Sequence, residues 1–269
     1  MSPQFVSIEK GLGPEGRIAV VRFDRGDNIN ALSQQAMREL RDVPRQFEDD
    51  LQTSVVILTG SAKAFCAGFD LKDPEGRQRD ALPVGERIQR GRLGPKMCKA
   101  WQEMDQVTIA AIEGHCIGGG AALVVSLDFR TCGKSAHFRI PEVELGMNMS
   151  WGSIPRLLAL MGPARTKQAV ILASDRVSAV EALDWGLVEN VVPDGQALAE
   201  SMKFAERIAR QPPIPVRMTK TSVNRLAHAL DDLAAHMDAD QNVLTGLTED
   251  YTEGTSAFRE KRKPVFKGR

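Results

Sequence analysis

Aromatic side chains are scarce in this chain, at 5% of 269 residues with a single tyrosine. That is too few ring faces for the base-stacking platforms that hold single-stranded nucleic acid. A dominant charge is lacking as well. The 35 Lys and Arg residues balance 35 Asp and Glu residues, so no global field collects polyanions or an anionic membrane. An anionic partner has to meet a local basic patch, which leaves room for a small nucleotide-bearing group. No apolar run approaches the ~20 residues needed to span a bilayer. Residues 1–10 show no cationic start ahead of an apolar core, so no secretory signal is expected. The four cysteines (Cys66, Cys98, Cys116 and Cys132) form no CxxC pair. They read as reduced thiols of a cytoplasmic protein, not as a disulfide framework or zinc site. His228 and His236 fall about 12 Å apart along a helix, too far to share a metal. His115 and His137 read as packing or surface residues, and no metal site is expected.

What is present fits a globular chain of one to two domains, with 42% hydrophobic and 26% charged residues. Arg17–Phe23 reads as a strand, and residues 32–50 as a helix with Ser33 near its start. The apolar runs Val55–Thr59 and Thr108–Ile112 are each closed by a glycine, Gly60 and Gly114, and suit strands buried on both faces. Strands alternating with helical stretches imply an α/β sheet. Ser178 and Glu181 form a capping box, with Gly186 placed to end the short helix they begin. From about Asp194 the pattern is helical only, and Gln211-Pro-Pro213 breaks it once. The stretch between Asp73 and Pro95 is polar and rich in arginine (Arg77, Arg79, Arg87, Arg90, Arg92). It reads either as a solvated connection or as a cover over a site with arginines facing phosphate. No internal repeat is apparent.

Two glycine turns carry the chemical signal. Ala64-Phe-Cys-Ala-Gly-Phe-Asp-Leu71 follows the strand ending before Gly60. Gly68 permits a sharp turn, and Asp70 is placed to cap a helix starting near Leu71. Gly114-His-Cys-Ile-Gly-Gly-Gly-Ala-Ala-Leu123 follows the next buried strand and reads as a strand-to-helix turn. Such a turn leaves amide N–H groups unpaired at a helix N-terminus, where negative charge is stabilised. The triplet fits neither the dinucleotide fingerprint nor the phosphate-binding P-loop. By itself it serves an anion hole or close helix–sheet packing equally well.

These two segments, followed by Ser135-Ala-His-Phe-Arg-Ile-Pro-Glu-Val-Glu-Leu-Gly146, together resemble the crotonase (enoyl-CoA hydratase/isomerase) superfamily. The resemblance continues through Ile154-Pro-Arg-Leu157 and Gly186-Leu-Val-Glu-Asn-Val-Val-Pro193 to Ser256–Lys267, nearly the whole chain. It implies an α/β fold, with a crotonase-like spiral of ββα units over residues 1–193. Residues 194–269 would then form a helical C-terminal region that drives trimerisation, in some members paired into hexamers. It further implies an acyl-CoA thioester substrate, coenzyme A being part of that substrate and no separate cofactor being required. The thioester oxygen would be held between the backbone amides of Phe69 and Gly119. Lys72, Phe258 and Lys261 are implied as coenzyme A contacts, the last two from a neighbouring subunit; a surface lysine on an amphipathic last helix explains Lys261 equally well.

One departure from the family pattern bears on mechanism. Hydratases of the family use two glutamates. The second corresponds to Glu142, whereas the position of the first is Ala122. A methyl group neither accepts nor donates a proton. A single base suits double-bond migration, taking a proton from C2 and returning it to C4. Hydration, including the aromatic hydratase-lyase type, and thioester binding without turnover are the alternatives. Burial among Val143, Leu145, Met147, Met149 and Trp151 would raise the Glu142 pKa towards neutrality. Glu144 is a reserve carboxylate, pointing to the same side if the segment is extended. Asn148, Ser150 and Ser126 are further polar candidates for orienting a water.

Overall fold

Alternation in the buried strands decides the architecture. The computed structural model describes residues 4–78, 82–173 and 175–269. The first strands are β1 (Val6–Leu12), β2 (Ile18–Phe23), β3 (Val55–Thr59) and β4 (Ala64–Cys66). Next come β5 (Val107–Ile112), β6 (His115–Ile117), β7 (Phe129–Gly133) and β8 (His137–Arg139). The last two are β9 (Val177–Ser178) and β10 (Asn190–Val192). Six of them form a sheet in the order β1-β2-β3-β5-β7-β10, parallel except for the β1–β2 pair. The other four form a second sheet, β4-β6-β8-β9, in which only β9 runs antiparallel. Thus β3, β5 and β7 lie side by side in one sheet, and each is followed at once by β4, β6 or β8 in the other. This repeating pair, closed by helices, is the ββα spiral.

All residues of β3 and β5 are buried. Val55, Ile57, Ile109 and Ala111 pack against α8 (Ala197–Ala209), while Val56, Leu58, Ala110 and Ile112 enter the main core from the opposite face. The two-residue period of a strand makes this division. The four cysteines are buried and unpaired, and burial pushes the Cys66 and Cys132 thiols up to about 12, which suits packing and not nucleophilic work.

The first helix is shorter than its apolar pattern suggests. Helix α1 covers Gln34–Asp42, with Ser33 Oγ accepting from Ala36 N at 3.2 Å, and Pro44 then opens a 3-10 turn that ends it. The arginine-rich stretch forms helices: α2 (Pro74–Gln78), α3 (Val84–Gly91) and the start of α4 (Leu93–Gln102). Arg79 and the Arg77 side chain lie outside the described residues. The glycine triplet leads into α5 (Gly119–Val124), α6 spans Ser153–Ile171, and α7 (Ala179–Asp184) starts at the Ser178–Glu181 capping box. After β10 only helices follow: α8, α9 (Pro213–Ala227), α10 (Asp231–Ala235), α11 (Asp238–Thr245) and α12 (Glu249–Glu260). No helix among the described residues is long and apolar enough to cross a membrane.

Candidate active site

The first glycine turn is pinned to the segment before α1. Leu32 N donates to Gly68 O at 2.7 Å, and Asp70 N donates to Leu32 O at 3.0 Å. These are the bonds of a parallel bridge between Leu32 and Phe69. In that pattern the partner strand bonds through the residues flanking Phe69, so the Phe69 N–H points away and is used by neither strand. Gly68 sits at φ +87°, and a Cβ there would lie 2.8 Å from Ile117 O. Only glycine lets the two turns approach this closely. Asp70 caps no helix at Leu71. Its carboxylate instead accepts from Lys72 N at 2.9 Å and Arg25 Nη1 at 2.8 Å, closing a local turn, and α2 begins later, at Pro74.

The second turn is built the same way. Gly118 N donates to Arg139 O at 2.8 Å, and Gly118 adopts φ +51°. The first hydrogen bond of α5 runs from Ala122 N to Gly118 O at 2.9 Å. The Gly119 amide therefore lies ahead of the helical ladder, with no intrahelical acceptor. Bare glycine is required again: a Cβ on Gly119 would fall 2.7 Å from Trp151 Cζ3, and one on Gly120 would fall 2.7 Å from Cys66 Cβ.

Glu142 reaches the same place from β8. It begins a 3-10 turn (Val143–Leu145), and its Oε1 would lie 2.7 Å from a Cβ on Gly118, so the carboxylate rests on the glycine turn. The residue is part-exposed, yet Oε2 is buried without a hydrogen-bond partner among the described residues. Burial pushes this carboxyl up to about 7, against a weaker opposing pull from a backbone N–H and from Arg139. Arg139 is itself paired with Glu144, so Glu144 serves that ion pair. The extended geometry that would have aligned Glu144 with Glu142 is replaced by the 3-10 turn.

Phe69, Gly119 and Glu142 line one cavity of about 90 Å³ together with Ala122, Asn148 and Ser150. Met147, Met149 and Trp151 also line it, whereas Val143 is exposed and Leu145 packs against Gly254 of α12. Ser126 is absent from the lining and donates to Ala122 O at 2.8 Å. Arg90 of α3 lines the cavity, while Arg87 is buried. Lys72 is exposed, next to Leu71, which lines the cavity. Phe258 and Lys261 are exposed on and just after α12, outside the cavity of their own chain. No histidine lines it: His115 and His137 pair with each other at 3.0 Å, and His228 pairs with Asp231. Among the described residues no group of three or more His, Cys, Asp or Glu is placed to hold a metal.

Several lining residues escaped sequence reasoning. Gln34 and Met37 come from α1, Gly94 from α4, and Asn242 and Tyr251 from α11 and α12. Only Gly94 carried a local signal, an isolated glycine within a helical pattern that marks a close approach. The others arrive through long-range packing.

A ββα spiral with two glycine turns meeting beside a carboxylate defines the crotonase class of fold. A family profile described as enoyl-CoA hydratase/isomerase matches residues 13–269. The chain is 35% identical over 267 residues to a crotonyl-CoA hydratase of Syntrophomonas wolfei, covering 99% of both chains. It is 32% identical over 253 residues to a short-chain-enoyl-CoA hydratase of Clostridium acetobutylicum, covering 94% of this chain and 95% of that one. The crystal structure of an enoyl-CoA hydratase from Bacillus anthracis superposes with a TM-score of 0.76 at 32% identity, over 99% of this chain and 100% of that chain. The chain belongs to the enoyl-CoA hydratase/isomerase family of acyl-CoA enzymes.

Proposed function

We propose that this enzyme moves the double bond of a 3-enoyl-CoA thioester to the 2,3 position, with Glu142 as the sole acid–base group. The observation that carries this reading is that, among the described residues, Glu142 is the only carboxylate lining the cavity, while Ala122 presents a methyl group to it. The Glu142 carboxylate removes a proton from C2. The electron pair passes to the thioester oxygen, which accepts hydrogen bonds from the Phe69 and Gly119 amides, and a dienolate results. Protonated Glu142 then gives the same proton to C4, the 2,3 double bond forms and the carboxylate is restored. A carboxyl pushed up to about 7 both takes and returns a proton near neutrality. Preorganised amides of this kind contribute about 3 kcal/mol each to an oxyanion-like transition state.

Hydration is the second reading. The relatives named as hydratases favour it, and Asn148 and Ser150 line the cavity where a water would need orienting. Lys72 would meet the coenzyme A phosphates at the mouth. Phe258 and Lys261 would do so for a neighbouring subunit within a homotrimer or hexamer. Incubating the enzyme with 2-enoyl and 3-enoyl thioesters in heavy water, with mass detection, separates the readings. Isomerisation with no added water supports migration. A mass gain of one water as the main product sinks it in favour of hydration.

A further inference from the structure

Trp151 is held in a conformation that a bulky residue rarely adopts. Its φ is +63°, in the left-handed region, and the next residue, Gly152, is left-handed as well at φ +68°. Two side-chain bonds fix this turn, one of them from a distant helix. Asp238 of α11 accepts from Gly152 N at 2.6 Å, and Arg156 Nη1 donates to Trp151 O at 2.7 Å. Arg156 is braced in turn against Gln102 of α4, its Nε donating to Oε1 at 3.0 Å.

The indole so held is wedged between two bare backbones. A Cβ on Gly94 would fall 2.1 Å from its Cε2, and one on Gly119 would fall 2.7 Å from its Cζ3. It thus lies against α4 on one side and against the residue offering the oxyanion amide on the other. Trp151 and its neighbour across the wall, Pro95, line the catalytic cavity of about 90 Å³. The same two residues line a second cavity of about 560 Å³ bounded by α4, α9 and α10. The small chamber and the large one therefore share one wall, and the indole is its largest part.

We propose that Trp151 is the specificity-determining residue for acyl length, a partition that confines the catalytic cavity to short acyl groups, with Asp238 and Arg156 as its positioning residues. This rests on the reading that the cavity receives the acyl part of a coenzyme A thioester. Removing the indole joins the small chamber to the larger one, which is lined by charged side chains and open to solvent, so a long chain is no longer stopped at the wall and can run outwards. Glycine at 151 also suits the left-handed backbone, so Trp151→Gly removes the wall without breaking the turn.

The test titrates butyryl-CoA and dodecanoyl-CoA, both saturated, into wild type, Trp151→Gly, Trp151→Phe and Asp238→Asn by calorimetry, with enoyl turnover followed in parallel. Wild type is expected to bind butyryl-CoA at least about tenfold more tightly than dodecanoyl-CoA. Trp151→Gly is expected to shift that ratio by about tenfold or more towards the long chain, with Trp151→Phe and Asp238→Asn between. A ratio that stays at the wild-type value in the folded Trp151→Gly or Trp151→Phe protein overturns the partition, as does a wild type that prefers the long chain. If thioesters bind and the ratio shifts while no enoyl substrate turns over, the partition stands and the isomerase reading falls. A wild type that binds neither thioester overturns both.

Discussion

At the scale of single residues, Glu142 joins burial to chemistry. Its carboxyl is pushed up to about 7 by burial, so the base form accumulates as pH rises through that value. The rate constant kcat/KM on a 3-enoyl thioester is expected to rise with pH and level off above about 7. Glu142→Gln is expected to lower it by about 10²- to 10⁴-fold, the usual range for a general acid–base group. A flat profile between pH 5 and 8 would remove Glu142 from the proton transfer. The same shift fixes the sign of a stability effect. The native carboxyl holds its proton above the ordinary value of 4.5, so its contribution is complete below that value and is lost as pH rises through about 7. Glu142→Gln should therefore gain stability relative to wild type on going from pH 5 to pH 8, by roughly 1–3 kcal/mol. Paired thermal unfolding at the two pH values reads it, and equal differences would contradict the burial argument. The sequence already singled out Glu142, Phe69 and Gly119, because motif residues next to glycines and proline carry strong local constraints. It left the direction of Glu144 open and set Val143 among the residues burying Glu142, where the structure exposes it, because the 3-10 turn after Pro141 breaks the alternation that an extended segment would impose.

At the scale of elements, the two glycine turns aim the amides, and each turn depends on close backbone contact. Gly68 illustrates the cost of filling that space. Any Cβ there meets Ile117 O, a backbone atom with no freedom to yield, at a φ of +87°. Gly68→Ala is expected to cost about 1–2 kcal/mol of stability from backbone strain. The larger effect should fall on turnover, about 10²-fold or more, because the Phe69 amide would swing off the oxyanion. Chemical denaturation together with steady-state rates tests this: a folded Gly68→Ala protein with wild-type kcat would dismiss the two-amide arrangement. Strands β3 and β5 were legible as continuous apolar runs closed by glycine, which both-face burial demands. The end of α1 was not, since the apolar spacing runs on to Phe47 while Pro44 stops the helix. Helix α3 was hidden for the opposite reason. Its one buried side chain is Arg87, so no apolar stripe announces it.

For the whole molecule, the spiral is a repetition of geometry and not of sequence. Each β3–β4, β5–β6 and β7–β8 pair buries different side chains, so no period appears in the amino-acid string. The closing of the cavity by Asn242 and Tyr251 was equally invisible, since it depends on how α11 folds back onto α3 and α12 onto the Val143–Leu145 turn. Those helices also leave a large surface unaccounted for. Helix α9 runs 15 residues in which no residue as a whole is buried. It and the following segment expose Ile214, Met218, Leu226, Leu230 and Leu233, with Leu226 at 82% exposure. Two of its polar side chains are engaged inward, Lys220 with Asp128 at 2.7 Å and Arg217 with Asp50 O at 3.1 Å. A contiguous apolar face of this kind marks an interaction surface, and a second and third copy of the chain are the occupants expected of it. Sedimentation equilibrium should find three or six copies at micromolar concentration. The double substitution Leu226→Glu and Leu230→Glu would bury carboxylates without partners at that contact, so it should yield monomers. It should leave the core of the subunit intact, because both leucines are exposed in the single chain. A wild-type protein that sediments as a monomer would refute the assembly, and a double variant that still sediments as a trimer would move the contact to another face.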